Sequence, residues 1–164
     1  MAPQGGYLLK ADTLVLAPGH SARDTFAMLH QAGVPMEQKP FAVGVRIEHP
    51  QAMINKALYG TELNPCLGAA SYKVTHQLSA GRGVYSFCMC PGGYVVNASS
   101  EQGYLAVNGM SYQARDQVNA NSALIVTVKP EDFPEDGPLG GVAFQRKLEK
   151  AAYEAGGGRF QFRL

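Results

Sequence analysis

The chain has 164 residues, about the size of one domain, with 46% hydrophobic residues, 16% charged residues and a formal net charge of +1. A net charge so close to zero gives no field that would gather nucleic acid or anionic lipid. No apolar run is long enough to span a membrane, and the first residues lack the pattern of a signal peptide. Three cysteines do not suit a secreted disulfide framework. We therefore expect a globular, cytoplasmic protein with free thiols and with neither a nucleic-acid nor a membrane partner.

The first elements predicted in chain order are a strand, a tight turn and a helix. Thr13 to Ala17 is a short apolar run typical of a buried strand, and Pro18-Gly19 ends it. A helix is predicted over Ala22 to Ala32, with Ser21 as its N-terminal cap and Gly33 at its C-terminal end. Together they make half of an α/β unit.

The turn between this strand and helix is a candidate nucleotide contact. Ligands of α/β sheets bind beyond the carboxyl ends of the strands, and a helix N-terminus there favours a phosphate. Pro18-Gly19-His20-Ser21 occupies that place. The alternative is an ordinary turn that needs a glycine and a capping serine.

The rest of the chain predicts two further helices and a series of short strands. Phe41 to Ile47 is a predicted strand, a short helix runs from Pro50 to about Leu58, and a loop follows over 60–71. Five later segments are rich in β-branched or aromatic residues and are separated by glycine-containing turns, which favours antiparallel hairpins: Tyr72 to Leu78, Val84 to Cys90, Tyr94 to Ala98, Tyr104 to Val107 and Ala123 to Val128.

An amphipathic helix is predicted over about Val142 to Ala155, and Phe160 to Phe162 reads as an incipient strand. Because the chain stops there, we expect it to be cut from a longer protein. The predicted fold is α+β, with a mainly antiparallel, twisted sheet of five or more strands and two or three helices.

Cys88-Met89-Cys90 lies at the end of a predicted strand. Two thiols two residues apart on a strand share a face, and a disulfide between them would be strained. No second cysteine pair is spaced for zinc, and the four histidines suggest no metal site. The cysteines are either redox-active thiols or small side chains packed beside a turn.

Asn108 to Ser122 is a polar segment without clear periodicity, predicted as one long connection. Loops of this length often bind ligands. The candidate substrate-binding residues are Asn108, Arg115, Asp116, Asn119 and Asn121, together with Arg82 from an earlier turn. The alternative is a cluster of Asn-rich turns held by side-chain-to-backbone hydrogen bonds.

Three long motifs resemble a family of bacterial FAD-dependent proteins, the largely uncharacterised FAD-dependent dehydrogenases. They are LVLAPGHSARDTF (Leu14 to Phe26), FCMCPGGYVVNASS (Phe87 to Ser100) and NGMSYQARDQVNANSAL (Asn108 to Leu124). The resemblance covers about Ala11 to Phe162. It implies an internal piece of a much longer chain, whose dinucleotide-binding glycine motif lies upstream and whose further flavin-contacting segment lies downstream.

This resemblance implies a division of the chain and a cofactor contact. Residues 1–35 would be a strand-turn-helix remnant of the FAD-binding domain, and 36–164 the inserted substrate or cap domain. Ala17, Pro18 and Gly19 match the Ala-x-Gly strand end beside the cofactor, and the expected contact extends to His20 and Ser21. Pro18 has no backbone N–H to donate.

The resemblance also implies a function. The parent would be an FAD-dependent oxidoreductase, and this piece alone would bind FAD weakly or not at all. Its partners would be the rest of the parent chain and an unspecified small-molecule substrate. Cys88 and Cys90 facing the flavin would be catalytic candidates. Two alternatives stay open: a thiol-redox module that uses these cysteines, and a non-catalytic module that binds RNA or protein through Arg82, Arg115 and the aromatic hairpins.

Overall fold

The computed structural model describes residues 9–63, 65–79 and 81–160. The chain divides into two compact units, Met1–Val34 and Pro35–Leu164. The assignment of residues 1–35 to an FAD-binding domain and of 36–164 to an inserted domain stays a prediction.

The described part of the first unit contains one helix, α1 (Arg23–Gln31). Gly33 follows it with φ +77°, the left-handed conformation expected at a helix end. The cap prediction is wrong: Ala22 is the N-cap residue and makes no side-chain cap bond, while the Ser21 carbonyl accepts from the N–H of Arg23 at 2.9 Å.

The predicted strand Thr13 to Ala17 is also wrong. This segment forms no strand in the structure, and Leu14 and Val15 are 78% and 82% exposed. An isolated extended segment is stable as a strand only when a neighbour completes its hydrogen bonds, and the described residues of this unit supply no such neighbour.

The second unit is α+β. Its described residues form six strands: β1 (Phe41–Pro50), β2 (Thr75–Gln77), β3 (Gly83–Cys90), β4 (Gly93–Asn97), β5 (Val107–Ser111) and β6 (Asn119–Val128). Four strands make one sheet in the order β1-β6-β3-β2, β4 and β5 make a second, and every pairing is antiparallel. The helices are α2 (Gln51–Tyr59) and α3 (Gly140–Ala155), with a 3₁₀ turn at Pro130–Asp132. The predicted α+β class is therefore confirmed.

The segment predicted as one long connection is mostly strand. Val107–Ser111 is β5, which begins where the predicted strand Tyr104 to Val107 ends, and Asn119 opens β6. Only residues 112–118 connect them. Polar strands without alternation are not visible from periodicity, because their pairing depends on partners distant in sequence. The last predicted strand, Phe160 to Phe162, lies outside the described residues except for Phe160, which is irregular.

The interior of the second unit is unusually polar. Among the described residues of this unit, the buried apolar side chains are Ala70, Leu105, Ala120 and Val128, and the buried polar ones are Gln51, Ser86, Asn121 and Ser122. Buried polar groups are tolerated when they are hydrogen-bonded. The Gln51 amide illustrates this, since it donates to the Ala70 carbonyl and accepts from the N–H of Gly92.

Candidate functional site

A β-bulge in β3 determines where the two neighbouring cysteines lie. Phe87 pairs with Ala123 but Cys90 pairs with Asn121, so β3 holds one extra residue, and Cys88 has φ +45°. The bulge interrupts the strand alternation on which the expectation of a shared face for the two thiols rests. Cys88 is exposed, Cys90 is half-buried, and the Cys90 thiol donates to the Cys88 carbonyl at 3.3 Å.

Arg46 of β1 reaches across β6 to this bulge. Its Nη1 donates to the Cys88 carbonyl at 3.1 Å and to Oδ1 of Asn121 at 2.5 Å, and lies 3.9 Å from Sγ of Cys90. Asn121 is fully buried. A Cβ at position 109 would collide with the Arg46 guanidinium and the Asn121 amide, so glycine there lets these two side chains keep their contact. We call Arg46, Cys88, Cys90, Gly109 and Asn121 the bulge cluster.

A second polar group lies on the same strand, two residues after Arg46. The Asn119 amide donates to Oε1 of Glu48 at 2.7 Å, and the backbone N–H of Val95 donates to Oε2 at 3.2 Å. Asn119 belongs to β6 and Val95 to β4. Glu48 therefore joins the four-stranded sheet to the two-stranded one.

His49 follows Glu48 and contains a buried polar atom without a hydrogen-bond partner among the described residues, as does Asn121 at Nδ2. In His49 this atom is Nε2. Its ring lies 5.6 Å from the Tyr72 ring, centroid to centroid. Burial lowers the pKa of His49, an effect that the Glu48 carboxylate opposes. The imidazole is therefore neutral at pH 7.

These β1 residues line a cavity of about 960 Å³ between β1, β4, β5 and the end of α3. Its polar lining comprises Arg46, Glu48, His49, Tyr94 and Asn119, and its apolar lining comprises Ile47, Pro50, Val95, Leu105, Val107, Ala152 and Ala155. Ligand pockets typically measure about 300–1,000 Å³ and combine apolar walls with a few convergent polar groups. We call this space the β1 cavity.

The structure brings some predicted substrate-binding residues together and separates others. Asn119 lines the β1 cavity and Asn121 belongs to the bulge cluster. Asn108 lines a smaller hollow of about 230 Å³ with Cys88. Arg115 and Asp116 line a different hollow of about 380 Å³ beside α2. Arg82 lies in neither, and forms an ion pair with Asp132.

The predicted cofactor contact lies in the first unit. Ala17, Pro18, Gly19, His20 and Ser21 are all exposed, and Gly19 has φ +84°. Their fit to a phosphate is poor, because Pro18 lacks an N–H and the N–H of Thr25 is already bonded to the Asp24 carboxylate at 2.8 Å.

Sequence reasoning missed Arg46, Glu48 and His49. A signal was available, because Arg46 and Glu48 are charged residues two apart that follow the apolar run FAVGV. Their spacing places them on one face of a strand. Charged side chains on one face of an apolar strand are paired or functional when they are not solvated.

Two kinds of feature are absent from the described residues. No group of three His, Cys, Asp or Glu side chains there is close enough to hold a metal ion. Likewise, none of the helices described has the length and apolar character to cross a bilayer.

The fold and site define an α+β domain with a ligand-sized cavity. Residues 40–164 match the family described as FAD-dependent protein, C-terminal domain-like, and the chain belongs to this family. It is 56% identical over 158 residues to an uncharacterised protein of Clostridium beijerinckii, a match that covers 95% of this chain and 30% of that protein. The chain thus spans less than a third of this relative. The resemblance to FAD-dependent proteins is confirmed at the level of the family.

Proposed function

We propose that this chain is the substrate or cap domain of an FAD-dependent oxidoreductase, and that the β1 cavity receives the substrate. The cavity carries the proposal, since it combines ligand size with apolar walls and convergent polar groups. Family membership supports FAD as the cofactor of the parent. When bound, the flavin supplies the electron transfer, and the protein supplies position and electrostatics.

The polar walls of the β1 cavity suit a positioning role. Glu48 is held by Asn119 and by the backbone of Val95, and Arg46 is held by Asn121 and the Cys88 carbonyl. Side chains fixed in this way present constant geometry to a ligand. The proposal includes the rest of the parent chain as the partner and the cytoplasm as the compartment.

The proposal predicts that the 164-residue chain alone binds FAD weakly or not at all. The reason is the poor phosphate fit at Pro18 and at the N-terminus of α1. Titrating FAD with the chain should leave the flavin fluorescence unchanged at micromolar concentrations. The matched control is the full-length parent protein, which should purify with a yellow cofactor.

Two results would contradict this account. Micromolar binding of FAD by the 164-residue chain would show that this chain binds the cofactor without the rest of the parent protein. A full-length parent that is colourless and does not bind added FAD would overturn the oxidoreductase proposal.

The bulge cluster supports a second candidate function, a thiol-redox module. Cys88 is exposed at the bulge, and the Cys90 thiol contacts both the Cys88 carbonyl and the Arg46 guanidinium. With hydrogen peroxide as the oxidant, two thiols would yield one disulfide and two water molecules. Cys66 is exposed and lies outside the cluster, so it provides the comparison.

A redox role predicts that stoichiometric peroxide joins Cys88 to Cys90 with the loss of two hydrogen atoms, detected by peptide mass spectrometry. Cys66→Ser should leave this reaction unchanged, and Cys88→Ser should abolish it. If both cysteines stay reduced until the chain unfolds, they are packing residues and the redox candidate is wrong.

A further inference from the structure

One face of the four-stranded sheet carries aliphatic side chains on three neighbouring strands. Residues two apart along a strand project on the same side, and so do residues paired across antiparallel strands. The register of β1, β6 and β3 therefore places six aliphatic residues on one face: Val43, Val45, Ile47, Val84, Leu124 and Val126. We call these six residues the apolar face.

The middle of the apolar face is open to solvent. Val45 is 64% exposed, Ile47 44% and Leu124 36%. These three are neighbours, because Val45 pairs with Leu124 and lies two residues before Ile47. Exposed apolar groups that adjoin one another mark interaction sites, and the centre of a protein interface is depleted of charge. This surface therefore has the character of an interface.

Elements of the second unit cover the same side of the sheet at both ends of the apolar face. Phe41 stacks on Phe133 with the ring centroids 5.2 Å apart. The His49 ring lies 5.6 Å from that of Tyr72, and Ala120, which pairs with His49, is fully buried. The apolar side of a sheet is stable when a second layer covers it. The open part between the two ends is a gap in that layer.

The length of the parent favours one occupant for this gap. The relative from Clostridium beijerinckii is matched over 30% of its length, so more than two-thirds of it lies outside the match. A segment linked to its docking site competes at an effective concentration of about millimolar when the linker is short and flexible. A second copy or a separate protein must bind from bulk solution without that advantage.

We propose that a segment of the parent chain outside these 164 residues docks on the apolar face through an aliphatic, uncharged surface of its own. The inference rests on the proposed function, in which this chain is one domain of a longer parent. Docking removes Val45, Ile47 and Leu124 from water, and the burial of apolar area drives the association. The docking segment is uncharged there, because a charge would lose its hydration without gaining a partner.

Hydroxyl-radical footprinting read by peptide mass spectrometry tests the proposal, because it reports the accessibility of aliphatic side chains. In the 164-residue chain, Val45, Ile47 and Leu124 should be oxidised readily. In the full-length parent their oxidation should fall by about fivefold, as for residues at the centre of an interface. Equal oxidation of the apolar face in the two proteins would overturn the inference.

A matched pair of variants locates the docking surface. Val45 and Met110 are both strand residues, 64% and 58% exposed, and Met110 lies outside the apolar face. In the 164-residue chain, Val45→Glu and Met110→Glu should each leave the melting temperature within about 5 °C of the wild type. In the parent, Val45→Glu should restore the oxidation of Ile47 and Leu124, and Met110→Glu should not. Equal effects of the two variants on that oxidation would contradict the proposal.

Light scattering of the 164-residue chain tests the alternative occupant, a second copy. A monomer is expected. A dimer in which the apolar face is protected, and which Val45→Glu dissociates, would overturn the inference.

The outcomes separate this inference from the proposed function. A yellow full-length parent whose apolar face is oxidised as readily as in the 164-residue chain leaves the oxidoreductase proposal standing and refutes the docking. A colourless parent whose apolar face is protected does the opposite.

Discussion

At the scale of single residues, the site depends on polar side chains that the fold has buried. Nη1 of Arg46 donates a hydrogen bond of 2.5 Å to Oδ1 of Asn121, and Asn121 has no solvent exposure. A hydrogen bond to a charged group is among the stronger ones, and removing one partner leaves the other desolvated. Arg46 also donates to the Cys88 carbonyl, so Asn121, by holding Arg46, supports the bulge indirectly.

We predict that Asn121→Ala lowers the free energy of unfolding by about 2–3 kcal/mol, since the Arg46 guanidinium loses a buried acceptor. Urea denaturation followed by circular dichroism measures the change. Asn108→Ala is the control, because Asn108 is exposed on β5 and its side-chain oxygen accepts from the next backbone N–H. Its effect should stay within about 0.5 kcal/mol. Equal losses in the two variants would show that Asn121 does not support the bulge.

At the scale of elements, an ion pair joins the turn before β3 to the turn after β6. Arg82 donates to the two Asp132 oxygens at 2.7 and 2.9 Å, and also to the Thr127 carbonyl at 3.0 Å. A bidentate guanidinium–carboxylate pair fixes orientation as well as distance. These bonds place Arg82, a predicted substrate contact, in a role that holds two elements together.

The same pair predicts a pH dependence of stability. The hydrogen bond from Arg82 and that from the Lys129 backbone lower the pKa of Asp132 from 3.8 to about 2. Because the folded pKa is depressed, the ionised carboxylate stabilises the fold above about pH 4, and this contribution disappears as the pH falls through about 2. Asp132→Asn should therefore lose less stability than the wild type between these pH values.

Melting temperature measured against pH by circular dichroism tests this. Asp136→Asn is the control, because Asp136 is an exposed carboxyl nearby in sequence. It should follow the wild-type profile. A profile of Asp132→Asn parallel to that of the wild type below pH 4 would mean that the pair does not couple ionisation to folding.

At the scale of the whole molecule, the second unit has the features of an independent domain. Among the described residues, all the strands and all the buried apolar side chains belong to Pro35–Leu164. The family match falls inside the same range. The first unit has one helix in its described residues and exposes the apolar side chains of Leu14, Val15 and Leu16. A domain folds by itself when its core and hydrogen bonds are internal to it.

We predict that residues 35–164 alone fold cooperatively, with a melting temperature within about 5 °C of that of the full chain. Thermal unfolding followed by circular dichroism measures both. The loss of a cooperative transition on removing residues 1–34 would show that the first unit completes the core of the second.

Much of the fold could be predicted because its signals are local. The helix predicted over Val142 to Ala155 begins two residues earlier, at Gly140, and ends as predicted, because an amphipathic stripe and terminal glycines specify it. The strand predicted over Val84 to Cys90 from its β-branched and aromatic residues differs from β3 by one residue at its start. The segment Thr13 to Ala17 shows where local signals fail to predict a strand. An apolar, strand-like pattern forms a strand only where a partner strand exists.

The sequence by itself determined the α+β class, the helices, most strands and the resemblance to FAD-dependent proteins, because periodicity, turn residues and long motifs are properties of neighbouring residues. Only the tertiary structure decided the site. The bulge at Cys88, the contact of Arg46 with Asn121 and the cavity beside His49 each join residues far apart in the chain. Burial strengthens the hydrogen bonds of those polar groups, because the interior has a low dielectric constant. Which groups are buried depends on which strands pair.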